Sequence, residues 1–224
     1  MPLHKIEDVL SCAESKKTFF IRIERLYSCF SKEHRFIERA YEDAKDAFRD
    51  VERDNGDPYL VHVRAVAIIL IDYLFIFSRI DLRISAHEIL AAALLHDVVE
   101  DCPEWSLSRI NRDYGRNVAW LLDYVSKRPV AEFGGDKNKQ LSFYHGRFVT
   151  APLEFFLIKL ADRLHNQLTL WSCDEQKIRN KIEQTKEYYI IWAKRWGILA
   201  HELEATTQDA DKRIKEHIEQ CAIT

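Results

Sequence analysis

The sequence predicts an all-α protein built as a single helical domain. Of its 224 residues, 47% are hydrophobic, whereas only 6 are glycine and 5 are proline. Tight turns and hairpins depend on those two residue types, so their scarcity argues against a sheet protein. Several stretches also carry apolar residues three and four positions apart, which is the period of a helix with one buried face. A chain of this length can bury a sizeable core, but it has no room for a second catalytic domain.

Composition also excludes several classes of partner. The net charge is −3 and like charges form no block, so we expect neither a nucleic-acid partner nor binding to an anionic membrane. No run of about 18 apolar residues occurs, and the first ten residues do not resemble a signal peptide. The 5 cysteines are scattered without a CxxC pair, which favours a reducing cytoplasm. The oligomeric state stays open.

Two amphipathic helices are predicted first along the chain. The earlier one lies in an extension over residues 1–32, and its apolar stripe consists of Phe19, Phe20, Ile23, Leu26, Tyr27 and Phe30. Such a stripe predicts packing on the main body, with a partner-binding face as the alternative. The later one runs from Arg35 to about Asp50, where small alanines allow a neighbouring helix to approach closely.

A turn and a buried helix are predicted next. The segment 54–58, Asp-Asn-Gly-Asp-Pro, breaks the chain and leads to an apolar helix over residues 63–77. His62 would lie at the start of that helix. A lone histidine in this position is ordinarily a core or capping residue, so spacing alone does not make it a ligand.

The central stretch concentrates acids at the end of an apolar helix. Ser85 and Glu88 fit the capping box of a helix whose middle, residues 89–95, is apolar all round. We expect this helix to continue to its end before Cys102 and Pro103. Its last residues include four side chains of interest: His96, Asp97, Glu100 and Asp101. Buried carboxylates must be neutralised, and imidazole plus carboxylate suits a divalent metal; a solvated helix end is the alternative.

Shorter elements are predicted in the second half of the chain. Residues 106–113 and 117–126 should form two helices separated at Gly115, and residues 127–146 should form a polar mobile loop able to act as a lid. Residues 175–203 should form one long helix that closes the bundle. The tail after it is polar and helical.

A polar stripe interrupts the otherwise apolar helix predicted over residues 153–170. Its members lie three or four positions apart and are Lys159, Asp162, His165 and Asn166. A polar stripe on a buried helix is costly unless it faces partners or a site. The alternative for Asp162 is a surface ion pair with Arg163.

Together these features resemble a known family. The order His62, His96-Asp97 and Asp162 resembles the HD-domain metal-dependent phosphohydrolases. The segments RDNGDPYLVH (53–62), LLHDVVEDC (94–102), IKLADRLHN (158–166) and 185–198 are similar to the hydrolase domain of RelA/SpoT-type proteins, which cleave guanosine tetra- and pentaphosphate. The resemblance implies an HD phosphohydrolase domain over residues 33–203, between the extension 1–32 and a helical tail 204–224. The chain looks like a stand-alone small alarmone hydrolase.

The resemblance also implies a metal site and a reaction. His62, His96, Asp97 and Asp162 would bind one cation, manganese, although a mixed nitrogen and oxygen site also accepts Fe²⁺ or Zn²⁺. Glu100 and Asp101 would orient or deprotonate the attacking water. The 3′-pyrophosphate would leave, giving GDP or GTP.

Substrate contacts are implied by the same comparison. Arg53, Asn166 and Thr169 match positions near the nucleoside, and Lys159 is either a phosphate contact or a charge partner for the acids. Asp54 departs from the usual basic residue and would repel a polyphosphate. Alternatives are the same metal chemistry on an adenine alarmone or on the 2′-phosphate of NADPH, or a silent module that binds nucleotide or protein.

Overall fold

The computed structural model describes residues 15–77 and 82–223, and it confirms the all-α prediction. Within these residues the extended backbone is limited to an isolated bridge between Glu52 and Pro58. The α-helices, in chain order, are α1 Lys16–Ile23, α2 Lys32–Ala47, α3 Tyr59–Phe77, α4 Ala86–Leu94, α5 Val98–Asp101, α6 Leu107–Tyr114, α7 Arg116–Val125, α8 Lys137–Gly146, α9 Leu153–Leu168, α10 Glu175–Gln184, α11 Ile190–Trp196 and α12 Ala200–Ile223. Short 3₁₀ turns occupy Val130–Phe133, Arg147–Thr150 and Leu170–Ser172.

Helix α9 lies at the centre of the bundle. It packs against α3, α4, α7 and α12, while α2 packs along α4. Aromatic side chains fill much of the core around it, and Phe155, Phe156 and Phe148 are almost fully buried. Three members of the predicted polar stripe, Lys159, Asp162 and His165, are therefore buried too, and Asn166 is half-buried, because α9 is covered on nearly all sides. Polar groups in such a place need specific partners.

Helix starts are fixed by short polar side chains. The Ser31 hydroxyl accepts from the backbone N–H of His34 at 3.0 Å, and the Asp136 carboxylate accepts from Asn138 and Lys139. Glu88 reaches back to the backbone N–H of Ser85 at 3.3 Å, as the capping-box pattern predicts. The helix over residues 106–113 and its neighbour separate at Gly115, as predicted, where φ is +86°.

Several predicted bounds are wrong. Helix α1 ends at Ile23, and Phe30 lies beyond it with 84% of its surface exposed, so Phe30 does not belong to the buried stripe. The predicted loop 127–146 contains helix α8, whose start is capped by Asp136. The predicted long helix 175–203 is broken at Gly197, which adopts the left-handed φ of +67° that favours glycine.

The C-terminal helix extends the bundle with a small second cluster. Its residues Ala210 and Ile214 pack with Leu170, Ile178 and Ile182. The boundary predicted at residue 203 lies inside α12. The division of the chain into 1–32, 33–203 and 204–224 stays a prediction. Among the helices of the described ranges, none is long and apolar enough to cross a membrane.

Candidate metal centre

The HD pair lies at a break between two helices, not on a continuous one. Helix α4 ends at Leu94, and α5 begins only at Val98. The prediction of one helix as far as Asp101 is therefore wrong. In an unbroken helix, neighbouring side chains point about 100° apart. Because the helix is broken here, the side chains of His96 and Asp97 can both point toward His62 and Asp162.

Four predicted ligands meet at this break. His62, His96 and Asp162 are buried, and one donor atom from each lies within 4.8 Å of the others. Asp162 Oδ1 is 3.3 Å from His62 Nε2 and 3.7 Å from His96 Nε2. Asp97 Oδ2 is 3.0 Å from His96 Nε2 and 3.6 Å from His62 Nε2. Ligands about 2.1 Å from one ion at right angles stand about 3 Å apart, so these separations suit a shared cation.

His96 presents a nitrogen suited to a metal. Its Nδ1 lies 2.7 Å from the carbonyl oxygen of Ala93, and because a carbonyl can only accept, Nδ1 carries a proton. The buried Nε2 makes no well-aligned hydrogen bond, although two carboxylates lie close to it. Burial would lower the pKa of His96, but Asp97 and Asp162 raise it to about 10. A proton therefore occupies this nitrogen when no cation does, and the donor set fits a divalent metal.

His62 is oriented by a second buried histidine. Its Nδ1 lies 2.8 Å from Nδ1 of His165, one turn past Asp162 on α9. Burial, and then the charges of His62 and Arg53, hold the pKa of His165 well below its usual range, so His165 is neutral. When Nε2 of His62 binds a metal ion, the Nδ1–H of His62 donates to Nδ1 of His165. Such a contact fixes the tautomer of a metal-binding histidine.

Asp97 and Asp162 are each held by other side chains. The phenol of Tyr59 donates to Asp97 Oδ2 at 2.7 Å, and burial followed by the Asp97 charge raises the pKa of Tyr59, so it stays a donor. Asn166 donates to Asp162 Oδ1 at 2.5 Å, and the Lys159 ammonium lies 2.8 Å from Oδ2. The structure thus shows Lys159 as a charge partner of the metal-site acid. The alternative of a surface pair between Asp162 and Arg163 is wrong.

Glu100 and Asp101 differ in their surroundings. Both oxygens of Glu100 are engaged by Lys127, one by its backbone N–H at 2.8 Å and one by its ammonium at 2.6 Å. Asp101 has no ion pair within the described residues. Burial, and then the charges of Asp97 and Glu100, raise the pKa of Asp101. Asp101 is therefore the carboxylate that is not already held by a cation of the described residues.

A cavity of about 670 Å³ opens onto the cluster. This volume is in the range of small-molecule and nucleotide sites. The predicted nucleoside contacts form one hydrogen-bonded group in its wall: Arg53 donates to Asn166 Oδ1 at 3.0 Å and to Thr169 Oγ1 at 2.9 Å. The structure brings these three residues together beside the metal ligands. Their contact with a substrate stays a prediction.

Asp54 is neutralised by a residue far along the chain. Its Oδ2 lies 2.5 Å from the ammonium of Lys177 on α10, and the Cys173 thiol donates to the same oxygen at 3.2 Å. Hydrogen bonding from Lys177 holds the pKa of Asp54 below its usual range. The repulsion that Asp54 alone would exert on a polyphosphate is thereby offset.

Sequence reasoning did not assign roles to several residues of this site. The polar stripe includes His165 but predicts no role for it, and the helix predicted over residues 63–77 leaves out Tyr59, with which α3 begins. Lys127 lies in the segment predicted as a loop. For His165 the one signal in the sequence is its place on the stripe, three residues after Asp162.

Comparison with known proteins agrees with this geometry. Residues 40–199 match the family described as the HD domain. The guanosine-3′,5′-bis(diphosphate) 3′-pyrophosphohydrolase of Haemophilus influenzae is 36% identical over 165 residues, which are 72% of this chain and 23% of that protein. The corresponding protein of Aquifex aeolicus is 33% identical over 187 residues, 81% of this chain and 25% of that protein. The chain thus spans about a quarter of the length of these relatives.

A solved structure shares the fold. It is described as a metazoan ortholog of SpoT that hydrolyzes ppGpp, and it aligns with a TM-score of 0.53 and 23% sequence identity. The alignment covers 87% of this chain and 98% of that one. Since the family match also spans well over half of the sequence, the chain belongs to the HD-domain family.

Proposed function

We propose that this protein is a metal-dependent phosphohydrolase that removes the 3′-pyrophosphate from guanosine tetra- or pentaphosphate, giving GDP or GTP and pyrophosphate. The observation that carries the proposal is the junction of His62, His96, Asp97 and Asp162 at the floor of a nucleotide-sized cavity. The guanine alarmone as substrate is supported by relatives named for this activity.

Manganese is the proposed cation, with Fe²⁺ or Zn²⁺ as substitutes. A bound cation of this kind would polarise a phosphoryl oxygen and lower the pKa of bound water toward about 7. His62, His96, Asp97 and Asp162 would hold it. Tyr59 and His165 keep two of these ligands in position through their hydrogen bonds.

The residues of the cavity have distinct proposed tasks. Asp101 takes the proton of the attacking water, because its carboxylate is unpaired and its pKa is raised. Glu100, held on both oxygens by Lys127, orients that water. Arg53, with Asn166 and Thr169, binds the nucleoside end of the substrate. We place the protein in the cytoplasm, with a nucleotide as its proposed substrate.

A turnover assay tests the proposal. The purified chain and Mn²⁺ are incubated in parallel with ppGpp, its adenine analogue and NADPH, and products are separated to distinguish pyrophosphate from orthophosphate. We expect pyrophosphate from ppGpp, and none from an Asp162→Ala variant. Turnover of NADPH alone would reject the alarmone while keeping the metal chemistry. Metal binding with turnover of no nucleotide would favour the silent binding module.

A further inference from the structure

Two cations in the wall of the cavity form no ion pair with any of the described residues. Seven lysines and arginines line this cavity. Three of them form ion pairs within it: Lys127 with Glu100, Lys159 with Asp162, and Lys177 with Asp54. Arg53 is hydrogen-bonded to neutral side chains, and Lys137 is exposed. The two that remain are Arg163, which is buried, and Lys181, which is partly buried. Neither forms an ion pair with an acidic side chain of the described residues.

Arg163 is a buried guanidinium, and two of its nitrogens have no hydrogen-bond partner among the described residues. It is 5% exposed, and its Nε and Nη1 are buried without hydrogen-bond partners. Its guanidinium carbon lies 3.9 Å from the centre of the Tyr189 ring, which fixes the plane of the group. Burying a charge in this way is costly unless something else binds it. An anion entering the cavity would supply the missing acceptors.

Lys181 lines the same cavity and is partly buried. Burial, and then the charge of Arg163, lower its pKa to about 8, and the charge of Asp162 only partly opposes this. The neighbouring His145 does not add a negative charge. Burial, followed by the Arg163 charge, lowers the pKa of His145 to about 4, so it is neutral near pH 7. The positive charge here is therefore not balanced by the protein.

A local irregularity of the backbone builds this wall. After α10, which carries Lys181, residues Thr185–Tyr189 form a π-helical turn. That turn presents Tyr189 to Arg163 and Tyr188 to His145, whose rings stack with centres 3.8 Å apart. Single π turns of this kind occur frequently at functional sites. The π turn thus holds the Arg163 guanidinium in the wall of the cavity.

We propose that Arg163 and Lys181 form a subsite for the terminal phosphoryl group of the substrate's pyrophosphate. The proposal rests on the function proposed above. Asp162 of the metal site lines the same cavity as Arg163 and Lys181, so one phosphoryl group can lie at the metal centre while its neighbour lies against the two cations. A guanidinium and an ammonium suit this group, because both form charge-assisted hydrogen bonds with phosphate oxygens.

The subsite holds the pyrophosphoryl group that the reaction transfers to water. The water oxygen bonds to the phosphorus attached to the 3′ oxygen, and the bond between that phosphorus and the 3′ oxygen breaks. The 3′ oxygen keeps the electron pair and takes a proton, and both phosphorus atoms leave together as pyrophosphate. Arg163 and Lys181 hold this product after cleavage. The subsite therefore explains selectivity for a pyrophosphoryl group over a single phosphoryl group.

Binding of inorganic pyrophosphate tests the subsite without any turnover. Titration calorimetry on the full chain in EDTA should show that pyrophosphate binds more tightly than orthophosphate. Lys181→Met should weaken pyrophosphate binding about tenfold, which corresponds to about 1.4 kcal/mol. Lys186→Met is the matched control, because Lys186 is exposed, pairs with Asp211 and lies outside the cavity. We expect this control to bind as the unmodified protein does.

The outcomes separate this proposal from the proposed function. Pyrophosphate binding that is undetectable in the unmodified protein, or equal in the Lys181→Met and Lys186→Met variants, would overturn the subsite. In the Mn²⁺ assay, Lys181→Met should raise KM for ppGpp and weaken inhibition by pyrophosphate. An unchanged KM and unchanged inhibition would reject the subsite while leaving the hydrolase intact. Lys181-dependent pyrophosphate binding without hydrolysis of any nucleotide would reject the hydrolase and keep the subsite.

Discussion

Replacing His165 should weaken metal binding although this residue is not itself a ligand. Its Nδ1 lies 2.8 Å from Nδ1 of His62, and both rings are almost completely buried. In a His165→Phe variant the His62 N–H loses its acceptor, and water has little access to replace it. The imidazole of His62 is then free to change tautomer or to rotate away from the metal.

The expected size of this effect follows from the contact. Loss of a hydrogen-bonding partner behind a metal ligand typically costs 10- to 100-fold in metal affinity, or about 1.4 to 2.8 kcal/mol. Leaving the buried N–H unpaired also lowers the free energy of unfolding by about 1–3 kcal/mol. His165→Asn should recover part of both losses, because its amide oxygen can accept the same proton.

Mn²⁺ titration followed by electron paramagnetic resonance measures the affinity, and urea unfolding measures stability. His34→Phe is a matched control. His34 is also buried, its ring nitrogens have no hydrogen-bond partner in the ranges 15–77 and 82–223, and it packs on Phe20 away from the cavity. We expect His34→Phe to bind Mn²⁺ as the unmodified protein does. A His165→Phe variant with unchanged Mn²⁺ affinity would refute the positioning role, whatever its activity.

Three further predictions concern the same cavity. Asp162→Ala should abolish Mn²⁺ binding, measured by elemental analysis. It should also lower the free energy of unfolding in urea by about 3–5 kcal/mol, because Lys159 is left buried without its partner, and unchanged stability would contradict this. Asp101→Asn should keep the metal and lower kcat about 10²- to 10⁴-fold, more than Glu100→Gln does; the reverse order would exchange their roles. Lys181 loses its proton as pH rises through about 8, so the unmodified protein should bind pyrophosphate more tightly than Lys181→Met below that pH and lose this advantage above it. Calorimetry at pH 7 and 9 measures the difference in affinity, and an equal difference at both pH values would contradict the prediction.

The sequence predicted the helices that carry the ligands, but not the break at the HD pair. The apolar periodicity and the capping box correctly located α4, because both depend on neighbouring residues. The break itself has no signal, since residues 94–98 contain neither glycine nor proline. It exists because His96 and Asp97 contact groups on α3 and α9, which are distant in sequence. Such contacts override local helix preference.

The second half of the chain shows the same limit. The polarity and glycines of residues 127–146 are typical of a loop, yet Asp136 caps a helix there and Tyr144 donates to the carbonyl of Val125 at 3.0 Å. Arg163 is another example. Its charge suggested a surface pair, but its burial against Tyr189 depends on a π turn that periodicity does not reveal.

The pairing of Asp54 with Lys177 affects how relatives should be compared. An alignment column at position 54 would class this chain as lacking a cation at the mouth of the cavity. The ammonium of Lys177 arrives at the same place from 123 residues further along the chain. The charge at the entrance therefore depends on two aligned positions, 54 and 177, and either position read alone gives the wrong charge. Ranking related chains by substrate should therefore compare the summed charge of the cavity surface and not its individual positions.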